Sequence, residues 1–146
     1  MRRLITAFPT RLILPMLLYG LIFFFTEYPG ATPSETEKSI YQIGHKMGWI
    51  AETAPSLNTV FRTCAHLFLF GLLGVLLYFL FKPNFHYELK IFLMVIGLVA
   101  FLGFLDEVHQ HFVPNRHPKI TDIGLDTLGA FVLVGLACLV AKKKSS

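Results

Sequence analysis

The feature that most constrains this chain is a set of four apolar stretches, at about residues 9–28, 63–81, 89–107 and 121–141. Each is near the ~20 residues that a helix needs to cross a bilayer. In hydrocarbon a segment must satisfy its own backbone hydrogen bonds, so each stretch is expected as a helix. The expected fold is all-α: a polytopic membrane protein, a four-transmembrane-helix bundle forming a single domain over residues 1–146. Composition agrees. Hydrophobic residues make up 54% and charged residues 15%, against about 45–50% and about 25% in soluble domains. Arg2 and Arg3 precede the apolar run in the manner of a secretion signal. Arg11 and Pro15 interrupt that run and no A-x-A site follows, so it is read as a retained anchor.

Lys and Arg set the orientation. Arg2, Arg3, Arg11, Lys82, Lys90, Lys142, Lys143 and Lys144 fall on one side of the expected bundle. Lys38, Lys46, Arg62, Arg116 and Lys119 fall on the other, spread over two longer loops. Positive charge stays inside, so both termini and the 82–90 loop are expected in the cytoplasm of a multi-pass cell-membrane protein. The net charge of +4 is thus a topology signal. No basic stripe with interleaved aromatics points to nucleic acid. Cys64 and Cys138 lie in apolar runs near opposite faces, where they cannot pair, and no metal-binding Cys or His spacing is present.

The first outer loop carries an expected amphipathic interfacial helix, about residues 35–52. Ser34 and Glu37 have capping-box spacing. Ile40, Ile43, Met47 and Ile50 then recur at helical intervals. Within the spans, Gly71, Gly74, Gly97, Gly103, Gly124, Gly129 and Gly135 are small residues of the kind that let membrane helices approach closely.

The segment from Asp106 to Asp126, DEVHQHFVPNRHPKITDIGLD, is the chemically unusual part. Asp106 and Glu107 abut an apolar run without a polar spacer. Asp126 lies about 7 Å inside the last span at about 1.5 Å per residue. A charge at that depth faces the bundle interior with a partner. Asp122 and Asp126, spaced i, i+4, share one helix face and should repel unless a cation such as Arg116 stands between them. Glu107 and Gln110 share a face if the third span continues past Leu105, and Asp106 and His109 share an adjacent one. His66, one turn into the second span near Arg62, falls at the same level. His109, His111 and His117 are expected in solvent, and His86 and Lys90 as ordinary loop residues of the opposite side.

The stretch DEVHQHFVPNRHPKITDIGLDTLGAFVLVG resembles the VanZ-like family. The family's pattern falls on Glu107, Gln110, Phe112, Pro114, Arg116, Asp122, Asp126 and Gly129, with Asp126 at an Asn-or-Asp position. Arg62-Thr63-Cys64-Ala65-His66 gives a second, weaker match. Where many members carry an acid and a Tyr after that His, this chain has Leu69 and Phe70. The family takes its name from a protein linked to low-level resistance to the glycopeptide teicoplanin. The resemblance implies a bacterial cell-envelope membrane protein and no particular reaction.

Three functions are compatible with these residues. One is a non-enzymatic envelope protein that binds a lipid-linked or anionic component at a cluster of His66, Glu107, Gln110, Arg116, Asp122 and Asp126, with the acids positioning Arg116. Arg62, Asp106, Pro114 and Gly129 would frame that cluster. The second is a membrane enzyme that performs acid–base or metal-assisted chemistry on a phospholipid or polyprenyl phosphate. The third is a small transporter or scramblase. The expected partners are membrane lipids, with no resident cofactor or metal and no nucleic acid. The sequence leaves the oligomeric state open.

Overall fold

The structure, a computed structural model, describes residues 2–48, 54–82, 88–114, 116 and 118–143. Its elements run α1 (Arg2–Glu27), a 3-10 turn (Pro29–Ala31), α2 (Pro33–Lys46), α3 (Ala54–Phe81), α4 (Glu88–Gln110) and α5 (Ile120–Lys143). No strand occurs among the described residues. Helices α1, α3, α4 and α5 are long and apolar enough to cross a membrane. They alternate in direction. The last turns of α1 and α4 therefore meet the first halves of α3 and α5 at one end of the bundle, hereafter the polar end.

α1 continues unbroken through Pro15, which is buried. α3 begins at Ala54, nine residues ahead of the expected span. Its added turns carry Asn58, Thr59 and Arg62, polar residues that hide the helix from a hydropathy reading. α4 runs to Gln110, as the shared face of Glu107 and Gln110 requires. Lys90, expected in a loop, lies in the first turn of α4. His86, His117, Lys144 and residues 49–52 of the expected amphipathic helix lie outside the described residues.

The core is a column of Phe70, Leu73, Leu77, Tyr78, Ile91, Val95, Val99, Ala130 and Val134, drawn from α3, α4 and α5. The closest seam joins α3 to α5. A methyl group on Gly129 would collide with the Leu67 carbonyl oxygen. One on Gly71 would stand 2.8 Å from the Gly129 carbonyl oxygen. These glycines let two backbones touch. Gly97, Gly124 and Gly135 have open space where a Cβ would be, so the expected packing role falls on Gly71, Gly74 and Gly129 instead. The two cysteines are free thiols.

α2 starts at Pro33 with Thr32 as its N-cap, and no side-chain bond closes that cap. The expected Ser34–Glu37 box does not form, because the proline at the first helical position moves the N-cap two residues earlier, from Ser34 to Thr32. The start of α2 is fastened to α3 by Asn58, whose Nδ2 donates to the Pro33 carbonyl at 2.9 Å. Of the expected apolar face, Ile43 and Met47 are exposed and Ile40 is half-buried, while Ile50 lies outside the described residues.

Candidate functional site

Three polar assemblies occupy the polar end. The first joins α3 to α5. His66 Nδ1 lies 3.0 Å from Asp126 Oδ1. Asp126 is fully buried, and its other oxygen has no hydrogen-bond partner. Gly103 on α4 makes room for it: a Cβ there would stand 3.1 Å from Asp126 Oδ2. Asp126 is thus enclosed by three helices, and among the described residues its single hydrogen-bonding partner is His66.

The second assembly lies at the end of α4. Asp106 Oδ1 accepts from the Thr26 hydroxyl at 3.1 Å, and Oδ2 accepts from Gln110 Nε2 at 2.7 Å. The same amide nitrogen donates to Glu107 Oε1 at 3.3 Å. Glu107 Oε2 accepts the backbone N–H of Lys119. Asp106, Glu107 and Gln110 are all buried. The helical spacings i, i+3 and i, i+4 place both acids within reach of one amide.

The third assembly holds the cations. Past α4 the chain turns sharply: Arg116 N–H donates to the Val113 carbonyl at 3.2 Å across a turn with Pro114 in its second position. The Arg116 side chain then folds back over α1. Its Nη2 donates to the Phe25 carbonyl at 2.9 Å and to the Ala31 carbonyl at 3.0 Å. Arg62 Nη1 donates to that same Ala31 carbonyl at 2.9 Å. Two guanidinium groups therefore converge on one oxygen. Among the described residues, no carboxylate oxygen lies within 4 Å of either. Burial first, and then Arg62, pull the Arg116 guanidinium below its usual value, opposed by Asp106 and Glu107. An arginine nevertheless stays charged near neutral pH.

These findings correct two expectations. The acids, expected to position Arg116, do not hold it in place; backbone carbonyls do, and Arg116 does not stand between Asp122 and Asp126, an arrangement the sequence left open. Those carbonyls belong to the end of α1 and the 3-10 turn, where no further helix N–H follows to donate to them. Asp126 turns to His66, and Asp122 takes its side-chain bond from Thr121 at 3.3 Å at the rim. His109, expected in solvent, stacks on Phe23 with ring centroids 3.7 Å apart and meets Glu27 at 3.2 Å. His111 is exposed, as expected.

A cavity of about 240 Å³ opens between α1 and α3. Its polar wall holds Thr26, Thr36, Arg62, His66, Asp106 and Arg116. Its other wall is apolar, formed by Ile22, Phe25, Phe61, Ala65, Leu69 and Phe70. Of the residues singled out in the sequence, Arg62, His66, Asp106 and Arg116 reach the cavity. Glu107, Gln110 and Asp126 stand behind them as supports, Pro114 shapes the turn, and Gly129 belongs to the seam. The sequence reading missed Thr26 and the Phe25 and Ala31 carbonyls. A threonine at the polar end of an apolar run, facing an acid on another span, was the available signal for Thr26.

A family model described as VanZ/LLP1 matches residues 11–141. Neither the curated proteins nor the solved structures contain a match to the chain. The matched region takes in nearly all of the four helices long and apolar enough to cross a membrane and every residue of the three polar assemblies, and the chain belongs to the VanZ/LLP1 family of membrane proteins.

Proposed function

We propose that this chain is a cell-envelope protein that binds a lipid-linked or other anionic envelope component at its polar end, and thereby contributes to glycopeptide (teicoplanin) resistance. The observation that carries the reading is the meeting of Arg62 and Arg116 on the Ala31 carbonyl beside an open cavity. Like charges at that separation repel, and the neutral carbonyl offsets only part of the cost. An anion arriving in the cavity supplies a countercharge in direct contact, which Asp106 and Glu107, acting from beyond 4 Å, do not. Arginine is suited to this because its planar fork matches phosphate and carboxylate oxygens. The acids are not competitors for the guanidinium groups, since Asp106 and Glu107 already accept from Thr26, Gln110 and the Lys119 backbone.

The distribution of Lys and Arg supports an orientation with both termini in the cytoplasm and the polar end outside. The cavity then faces the leaflet where envelope precursors are displayed. Teicoplanin enters through the family association alone. The test is teicoplanin sensitivity of cells expressing Arg62→Gln, Arg116→Gln or Asp126→Ala at wild-type abundance. Each arginine variant is expected to lose the protection that the wild-type chain confers. Full protection from both arginine variants would overturn the reading.

A further inference from the structure

We infer that the ligand of this site is a single-chain phosphate amphiphile that enters sideways from the bilayer, with its phosphate on Arg62 and Arg116 and its chain between α1 and α3. This rests on the anion-binding reading above and adds the ligand's shape and route.

One observation concerns the head. Arg116 is buried to about nine-tenths, lines the cavity, and its Nε has no hydrogen-bond partner among the described residues. A buried donor left unmade is costly, so its position at a cavity wall points to an acceptor that arrives there. A tetrahedral phosphate offers several acceptor oxygens to two guanidinium forks at once. Asp106 shares this wall, but both its oxygens already accept hydrogen bonds.

A second observation concerns the tail. Beside the arginines the same cavity is lined by the apolar side chains of Ile22, Leu69 and Phe70. Phe25 and Phe61 line the same cavity yet are 46% and 61% exposed, on helices that cross the membrane. The cavity is therefore open on its lipid-facing side. A chain can leave through that side without crossing the bundle.

Volume favours one chain over two. The cavity's volume of about 240 Å³ lies below the roughly 300–1,000 Å³ of pockets that enclose drug-sized ligands. It suits a phosphate and the start of one chain better than a diacylglycerol backbone with two ester arms.

The test uses full-length protein in phosphatidylcholine nanodiscs, titrated calorimetrically with inorganic phosphate and with methyl, butyl and hexyl phosphate, and with empty nanodiscs as the partition control. Affinity is expected to rise with chain length, by up to about fourfold per methylene over the first carbons. Leu69→Trp, which fills the apolar wall, should keep phosphate binding and lose the length dependence. Ala65→Leu on the same wall serves if the tryptophan variant does not fold. Arg62→Gln combined with Arg116→Gln should abolish both. Equal affinity for inorganic and hexyl phosphate would overturn the lateral chain route and leave the anion site standing. Absence of binding by every phosphate would overturn both readings.

Discussion

His66 of α3 and Asp126 of α5 meet at 3.0 Å, and Asp126, fully buried, has no other hydrogen-bonding partner among the described residues. The pair crosses the tightest helix seam in the molecule, one turn from the Gly129–Leu67 contact. A buried carboxylate stripped of its partner keeps the full cost of its desolvation. His66→Ala is therefore expected to destabilise the bundle by about 1.5–3 kcal/mol. Adding Asp126→Asn to His66→Ala should recover much of that loss, because the amide is cheaper to bury than the acid. Thermal unfolding of the single and double variants measures the coupling. Strictly additive effects would show that the two residues do not act together.

Gly129→Ala should weaken the seam itself. The added methyl meets the Leu67 carbonyl, a backbone atom that a rotamer change cannot move. Separating α3 from α5 by the needed amount is expected to cost about 1–3 kcal/mol, the usual scale of overpacking, or more. Gly97→Ala and Gly135→Ala enter open space and should leave stability unchanged or slightly raised. Denaturation in detergent compares the three. Equal tolerance of all three would refute the close approach.

Gln110 bonds Asp106 and Glu107 with one amide nitrogen. Gln110→Leu preserves bulk and removes the shared donor from two buried acids. The expected loss is about 1.5–3 kcal/mol, as for hydrogen bonds to charged groups. A change below ~0.5 kcal/mol, the usual effect of a surface substitution, would show that the amide is dispensable. Thr26→Val removes the donor on the opposite side of Asp106 and should act in the same direction.

Orientation has its own test. Lys119 is exposed beside the polar end, just ahead of α5. In a chain with both native cysteines replaced by serine, Lys119→Cys should react with an impermeant maleimide added to intact cells. Reaction only after the membrane is opened would place the polar end in the cytoplasm and overturn the positive-inside assignment.

The membrane spans were legible because hydropathy acts at their length scale. Convergence at one level was legible from where His66, Asp106, Glu107, Arg116 and Asp126 interrupt or border apolar runs. What stayed hidden was who bonds whom. Arg116 looked like the partner of an acid because opposite charges are the obvious pairing, yet it bonds the Phe25 and Ala31 carbonyls. Those acceptors exist only because α1 ends and a 3-10 turn follows, and backbone oxygens leave no trace in side-chain identity. The early start of α3 was masked by Asn58 and Arg62, which read as loop and serve as fasteners to the turn and to α2. Ser34 and Glu37 matched a cap by spacing alone, and the Pro33 start displaced it.

The Ala31 carbonyl makes one part of this protein invisible to alanine scanning. Its methyl group can be changed at little cost to the oxygen on which both arginines rest. Its position along the chain cannot. A one-residue insertion or deletion in the Pro29–Ala31 turn shifts that oxygen away from both guanidinium groups while every charged side chain stays in place. Relatives should therefore tolerate varied residues in this turn and keep its length fixed.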